Sequence, residues 1–261
     1  MNKSLFTKLL VLITLFMMVG GSELSDQNKK SKKEQKEELN QKVRLEKAQA
    51  DLANGADPNR KDGKMTWLGT ELQEYNRNRQ YPEITKLLIN AKGIKLNEWN
   101  ILTQPKRSWK YTALMLGVHN KEISKILIDK GATLDTRTKH GETALMLAAG
   151  KYAEVVKMLI DKGANIQLRQ STFSSSPNAL DYAAKEGNIE AAKLILKRAE
   201  ELGIKKEIIS AGLHWAVIAN QLEMAKYLLD EGALVDGTDE YGKYTPLMET
   251  SMPEMVQLLI S

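Results

Sequence analysis

The chain has 261 residues, 42% apolar and 27% charged, a composition that suits one sizeable core or two small ones. It contains no cysteine and only three histidines, His119, His140 and His214. Disulfides, thiolate metal sites, a cysteine nucleophile and cysteine lipidation are excluded, and no two histidines stand at metal-ligand spacing. The net charge of +5, from 38 Lys/Arg against 33 Asp/Glu, is too mild for a dedicated nucleic-acid binder. No cofactor, no metal and no nucleic-acid partner are expected.

Residues 1–21 read as a secretory signal peptide. Lys3 and Lys8 stand without an acid, an apolar run from Leu9 to Val19 follows, and Gly20, Gly21 and Ser22 close the segment. Val19 and Gly21 supply the small positions before a cleavage point, so cleavage is expected before Ser22. The run is well short of the ~20 apolar residues that span a bilayer. An uncleaved anchor is the alternative. Serine follows Gly21 where a lipoprotein would carry cysteine. Cleavage removes two lysines and no acid, so the mature charge becomes +5 − 2 = +3. No stable membrane span is expected after cleavage. The expected location is the periplasm of a bacterium, or beyond it by secretion.

Residues 22–39 form a charged linker, with lysines and glutamates interleaved from Lys29 to Lys36. Its first part is expected to be an unstructured spacer. From about Glu34 the mixed charges favour a solvated helix with Leu39, Val43 and Leu45 as a thin apolar stripe.

The remainder of the chain repeats. Lys110-Tyr-Thr-Ala-Leu-Met-Leu116 resembles His140-Gly-Glu-Thr-Ala-Leu-Met-Leu-Ala-Ala149, and related copies begin at Pro177, Gly212 and Tyr244. The equivalent leucines are Leu114, Leu145, Leu180, Leu213 and Leu247, spaced by 31, 35, 33 and 34 residues. A second pattern follows each, as in Glu122-Ile-Ser-Lys-Ile-Leu-Ile-Asp-Lys-Gly131 and Glu154-Val-Val-Lys-Met-Leu-Ile-Asp-Lys-Gly163. A degenerate copy runs from Glu83 to Gly93.

Each unit has a physical reading. Thr143 or Thr245 caps a short first helix, and Pro246 suits the first helical position. Leu145, Ala148 and Ala149 face inward, where small alanines admit a second helix. Val155, Val156, Leu159 and Ile160 keep helical spacing in that second helix. Gly163 ends it in a left-handed conformation, and Lys162 complements the negative helix end. One such pair cannot bury its apolar face alone, so neighbouring pairs must stack.

These units resemble the ankyrin repeat, because the T-P-L-H-x-A-A, G-x-x-E and L-L-x-x-G-A patterns all recur. The resemblance covers residues 40–261. It implies an all-α solenoid of stacked helix-turn-helix units with β-hairpin-like loops. The units are 40–62 (a cap), 63–108, 109–139, 140–174, 175–207, 208–241 and 242–261, with an insertion at Gln73 to Gln80. The family histidine is replaced by Met115, Met146, Asp181 and Met248 and kept only at His214, so packing between units should lean on methionine. First helices are shortened in units 109–139, 140–174 and 242–261, and Lys197 to Gly203 extends a second helix. The C-terminal Leu258-Leu-Ile-Ser261 lacks a polar cap.

His214 falls on the structural histidine position, with no nucleophile or acid at suggestive spacing. Ser174 to Ser176 lies in a loop without a nucleophile-elbow motif. No enzymatic activity is expected, the alternative being an unrecognised site within 63–109. The resemblance implies a protein partner bound on the concave face of loop tips and first helices. The contact candidates there are Ser108, Trp109, Tyr111, Lys139, His140, Glu142, Lys151, Phe173 and Tyr241. Aromatic residues at such positions are frequent anchors of binding. The leading expectation is a non-enzymatic interaction module of the bacterial envelope. The alternatives are self-association through the C-terminal helix and a secreted, host-directed effector.

Overall fold

A computed structural model describes residues 26–63, 65–78, 82–104, 107–171, 176–237 and 244–261. The signal-peptide segment, Phe173 and Tyr241 lie outside the described residues. The chain divides into two compact units, 1–48 and 49–261.

Helix α1 (Asp26–Ala53) begins well before Glu34. The spacer expectation is therefore corrected for residues from Asp26 onward. Lys, Glu and Gln are good helix formers, and i,i+4 pairs such as Gln41 Nε2 to Glu37 Oε1 (3.2 Å) add support. Leu39, Val43 and Leu45 are half-buried.

In the second unit a short ladder, β1 (Lys61–Asp62) with β2 (Met65–Thr66), leads into α2 (Trp67–Asn78). The residues read as an insertion are thus largely the second half of this helix. Helix α3 (Glu83–Ile89) follows. Next comes an antiparallel hairpin, β3 (Asn100–Gln104) with β4 (Arg107–Tyr111), in register from Asn100 opposite Tyr111 to Gln104 opposite Arg107. Here a hairpin-like loop between units forms a regular five-residue ladder. Asn100 anchors the hairpin: its buried Oδ1 accepts from the Thr66 N–H (2.9 Å) and from the Thr66 hydroxyl (2.7 Å).

The helix pairs then run α4 (Ala113–Gly117) with α5 (Lys121–Asp129), α6 (Ala144–Ala149) with α7 (Ala153–Asp161), and α8 (Ala179–Glu186) with α9 (Ile189–Glu201). Next are α10 (Lys205–Ile218) with α11 (Leu222–Asp230), a 3-10 turn (Pro246–Glu249) and α12 (Pro253–Ile260). First helices pack in sequence, α4 on α6, α6 on α8, α8 on α10, and second helices form a parallel layer, α3 on α5, α5 on α7, α7 on α9. The first helices of units 109–139 and 140–174 are short, and that of the last unit is reduced to the 3-10 turn.

Leu114, Leu145, Leu180 and Leu213 are all fully buried, as are Ala148, Ala149, Val155, Val156 and Leu159. Leu247, the fifth of the series, is exposed. Thr143 caps α6 by accepting from the Met146 N–H (3.3 Å). Thr245 makes no such bond, so that cap is absent; Pro246 alone suits the start of the turn. Met115 and Met146 are buried, and Met115 Sδ accepts from the Thr112 N–H at 3.5 Å. Asp181 Oδ2 accepts from the Asn178 N–H at 2.8 Å within its own unit and lies 4.0 Å from Arg169 Nη1 of the preceding unit. Met248 is exposed, so methionine packing holds in the middle units and not in the last.

Neighbouring units are stitched by a periodic hydrogen-bond ladder. Asn59, Asn97 and Asp135 each stand four residues after a helix-ending glycine. Their Oδ1 atoms accept from the N–H of Lys95 (2.6 Å), Thr133 (2.9 Å) and Asn165 (3.0 Å) in the following unit. The ladder is replaced where α10 begins directly after α9, and there the Leu234 N–H donates to Ser210 Oγ (3.2 Å). Ion pairs cross the same boundaries on the second-helix side: Lys86 with Glu122, Lys121 with Glu154, and Lys162 with Asp129.

Candidate partner-binding face

The loop between α5 and α6 is a tight turn built on Thr138. The Thr138 N–H donates to the Glu142 carbonyl (2.9 Å), and the Gly141 N–H returns to the Thr138 carbonyl (2.9 Å). The Thr138 hydroxyl oxygen accepts from the His140 and Glu142 N–H groups and lies 3.2 Å from Glu142 Oε2, to which it donates. Gly141 holds a φ of +81°, and a Cβ built there would lie 1.4 Å from the Gln170 carbonyl oxygen. Only glycine permits both the positive φ and this approach to the next loop.

Lys139 and His140 stand exposed at the turn's tip. Glu142 is half-buried and faces the next unit, where the Tyr182 hydroxyl donates to its Oε1 at 3.2 Å. Gln170 Nε2 donates in turn to the Tyr182 oxygen. Burial, followed by the Glu142 charge, pushes the Tyr182 phenol far above its ordinary range. Tyr111, at the end of β4, is half-buried, and its phenol is raised by burial and then by Glu142. The structure thus brings Tyr111 and Glu142 together around Tyr182. Glu142 is correspondingly less free as a partner contact than its loop position suggested, since both carboxylate oxygens are engaged within the protein.

Tyr182 also forms one wall of an open groove of about 430 Å³. Asn76, His119, Leu147, Lys151, Tyr152 and Glu186 line the remainder, together with Gly150. These residues belong to first helices and to the turns that follow them. His119 Nδ1 lies 2.9 Å from the Tyr152 hydroxyl, and the two rings meet edge to face with centroids 5.2 Å apart. Lys151 Nζ lies 3.7 Å from Glu186 Oε2. Asn76 Nδ2 donates to the Leu116 carbonyl (2.8 Å), and Asn188 Nδ2 to the Ala149 carbonyl (2.9 Å). Such bonds satisfy carbonyls that a short helix leaves without internal partners.

Of the sequence candidates, Tyr111, Glu142 and Lys151 border or line this continuous surface, and Lys139 and His140 stand at its loop edge. Ser108 and Trp109 pair through their backbones with Thr103 and Leu102 on β3. Their side chains, like Phe173 and Tyr241, lie outside the described residues. His119, Leu147, Tyr152, Tyr182 and Glu186 were missed. A signal was present for two of them: His119 and Tyr152 each end the turn after a first helix, 33 residues apart.

His214 is buried on α10, its Nε2 3.3 Å from Glu249 Oε2 in the 3-10 turn. The two groups stand in neighbouring units, and His214 Nε2 makes no hydrogen bond among the described residues. Among the described residues no cluster of His, Asp and Glu is arranged to hold a metal ion, and no helix is long and apolar enough to cross a membrane.

A family model described as ankyrin repeats matches residues 74–170 and 180–261, more than half the chain. Among solved structures, the crystal structure of the human ASB11 ankyrin repeat domain is similar at 26% identity and a TM-score of 0.54. That similarity covers 73% of this chain and 81% of the ASB11 chain. No curated protein matches the sequence.

Proposed function

Since this chain belongs to the ankyrin-repeat family, whose members generally mediate protein–protein interaction, we propose that it is a non-enzymatic binding module of the bacterial envelope. Its partner is a protein held on the concave face, across the groove and the adjoining loop tips. The observation that carries this reading is the groove itself. Side chains from four consecutive units converge there, with Leu147, Tyr152 and Tyr182 offering apolar and aromatic surface beside a few polar groups. Surfaces of this mixture suit the anchoring side chains of a protein partner. The stitched units hold the face in place before binding, which lowers the ordering cost of association. Envelope location rests on the signal-like residues 1–21 alone.

The test is capture of envelope proteins by the full chain carrying a C-terminal tag, beside a Leu147→Arg/Lys151→Glu variant whose circular dichroism and melting match the parent. A specific protein lost with the variant supports the groove. A protein retained at full yield moves the site elsewhere. N-terminal sequencing of the purified chain should begin at Ser22; a chain beginning at Met1 and found in the cytosol would defeat the envelope assignment.

One observation favours self-association as a second reading. Leu234, Tyr244, Leu247, Met248 and Ile260 are all large and exposed in the last two units. A monomer by light scattering at tens of micromolar would remove it.

A further inference from the structure

The groove belongs to a row that repeats with the units. Leu147, Tyr182 and Trp215 each stand two residues after the buried leucine of a first helix, Leu145, Leu180 and Leu213. The helices that carry them, α6, α8 and α10, pack side by side in that order, so the three positions line up across three units. All three side chains are half-buried. Leu147 and Tyr182 line the groove, and Lys185, on the helix of Tyr182, places Nζ 5.8 Å from the centre of the Trp215 ring. Ile218, one turn after Trp215, is 47% exposed. The row is bounded at both ends, since the preceding equivalent, Leu116, is buried, and the following one, Glu249, lies against His214. Lys151 and Lys185 border the row with Glu142 and Glu186, two cations and two carboxylates, which leaves no net charge among them. The Trp215 indole N–H has no acceptor among the described residues.

Spacing and chemistry together select the occupant. Packed helices stand about 8–10 Å apart axis to axis, so the row offers one apolar or aromatic contact at about that interval. A β-strand returns a side chain to the same face after about 6.6 Å or about 13 Å and falls out of step. An α-helix does so after about 10.5 Å, at the seventh residue, but its carbonyls are bonded internally and leave the Trp215 indole unanswered. A polyproline II segment returns every third residue after about 9.3 Å, within the interval, and its free carbonyls can accept from the indole. Its proline rings suit the faces of Tyr182 and Trp215, and an uncharged segment complements surroundings without net charge. We infer that Leu147, Tyr182 and Trp215 hold a proline-rich segment of the partner protein in the polyproline II conformation, about seven residues long, with one apolar side chain at every third position. This deepens the reading of the partner face and rests on it.

The probe is decaproline, titrated into the isotope-labelled full chain and followed by NMR at the tryptophan indole N–H signals. A glycine–serine decapeptide and an amphipathic helical peptide with leucine at every seventh position serve as comparisons. Decaproline should shift the Trp215 signal, identified by its loss in Trp215→Phe. Its affinity should fall about fivefold or more in Leu147→Arg and in Ile218→Glu, at the two ends of the row, in variants that melt like the parent. The control Leu202→Glu, at a residue 46% exposed outside the row, should bind like the parent. Equal weakening by the control would overturn the inference. So would no shift at millimolar decaproline, equal binding of the glycine–serine peptide, or tighter binding of the helical peptide. Capture of a native partner that depends on Leu147 and Lys151, alongside no response to decaproline, would leave the groove reading standing and remove this one.

Discussion

The Tyr182 hydroxyl donates to Glu142 Oε1 across 40 residues of sequence, joining the first helix of one unit to the turn that begins the unit before it. Neither residue is needed for the core, yet together they fix the wall of the groove. Tyr182→Phe removes this bond and leaves the ring. It should cost ~1 kcal/mol of stability by urea unfolding, the usual net worth of one hydrogen bond. An unchanged midpoint would mean that water replaces the bond at no loss.

Alkaline pH should loosen the repeats through their tyrosines. Burial, then the charges of Glu231 and Glu190, pushes the Tyr227 phenol up to about 12. The folded state favours the neutral phenol, so the folded pKa exceeds the unfolded value of about 10. The stabilising contribution is complete below about pH 10 and is lost as pH rises from there through the folded pKa. Tyr227→Phe should therefore lose less stability than the parent across that window. Phenolate absorbance should show one late-titrating group fewer. Equal alkaline losses would refute the assignment.

Leu145 is 1% exposed, at the centre of the stacked first helices. Leu145→Ala should cost ~2–5 kcal/mol, because the cavity lies between units that cannot collapse around it. Thermal unfolding indistinguishable from the parent would contradict the register of α6.

Gly141 and Gly163 separate two causes of glycine dependence. Both hold positive φ, +81° and +88°. At Gly163 a Cβ meets nothing within 4 Å, so Gly163→Ala should cost only the backbone strain, ~1 kcal/mol. At Gly141 the Cβ also collides with the Gln170 carbonyl, so Gly141→Ala should destabilise distinctly more. Equal costs, measured side by side in urea, would show that the two loops yield freely.

The stacked pairs were legible because each carries its own local signals. Thr143 at a cap, Leu145 and Ala148 at helical spacing, and Gly163 at a helix end need no knowledge of distant residues. The hairpin from Asn100 to Tyr111 was legible only as a hairpin-like loop; the extent of its ladder was not, because its strands are held from outside by Asn100 on Thr66. The groove was only half legible. Tyr111 and Lys151 stand in recognisable loop and turn positions. Leu147 and Tyr182 look like ordinary first-helix residues until stacking decides which of them remains uncovered. Thr245 shows the reverse case, a good capping residue whose helix is too short to use it.

The ladder from Asn59 through Asn97 to Asp135 connects each unit only to the next. Nothing in it closes the array from one end to the other. A pull applied to the two ends of such an array should detach units one after another, each step releasing about one repeat of chain, as in a chain of coupled springs. A partner seated across several units would bind them in parallel and merge those steps into one larger release. Extension under force would then report occupancy of the face.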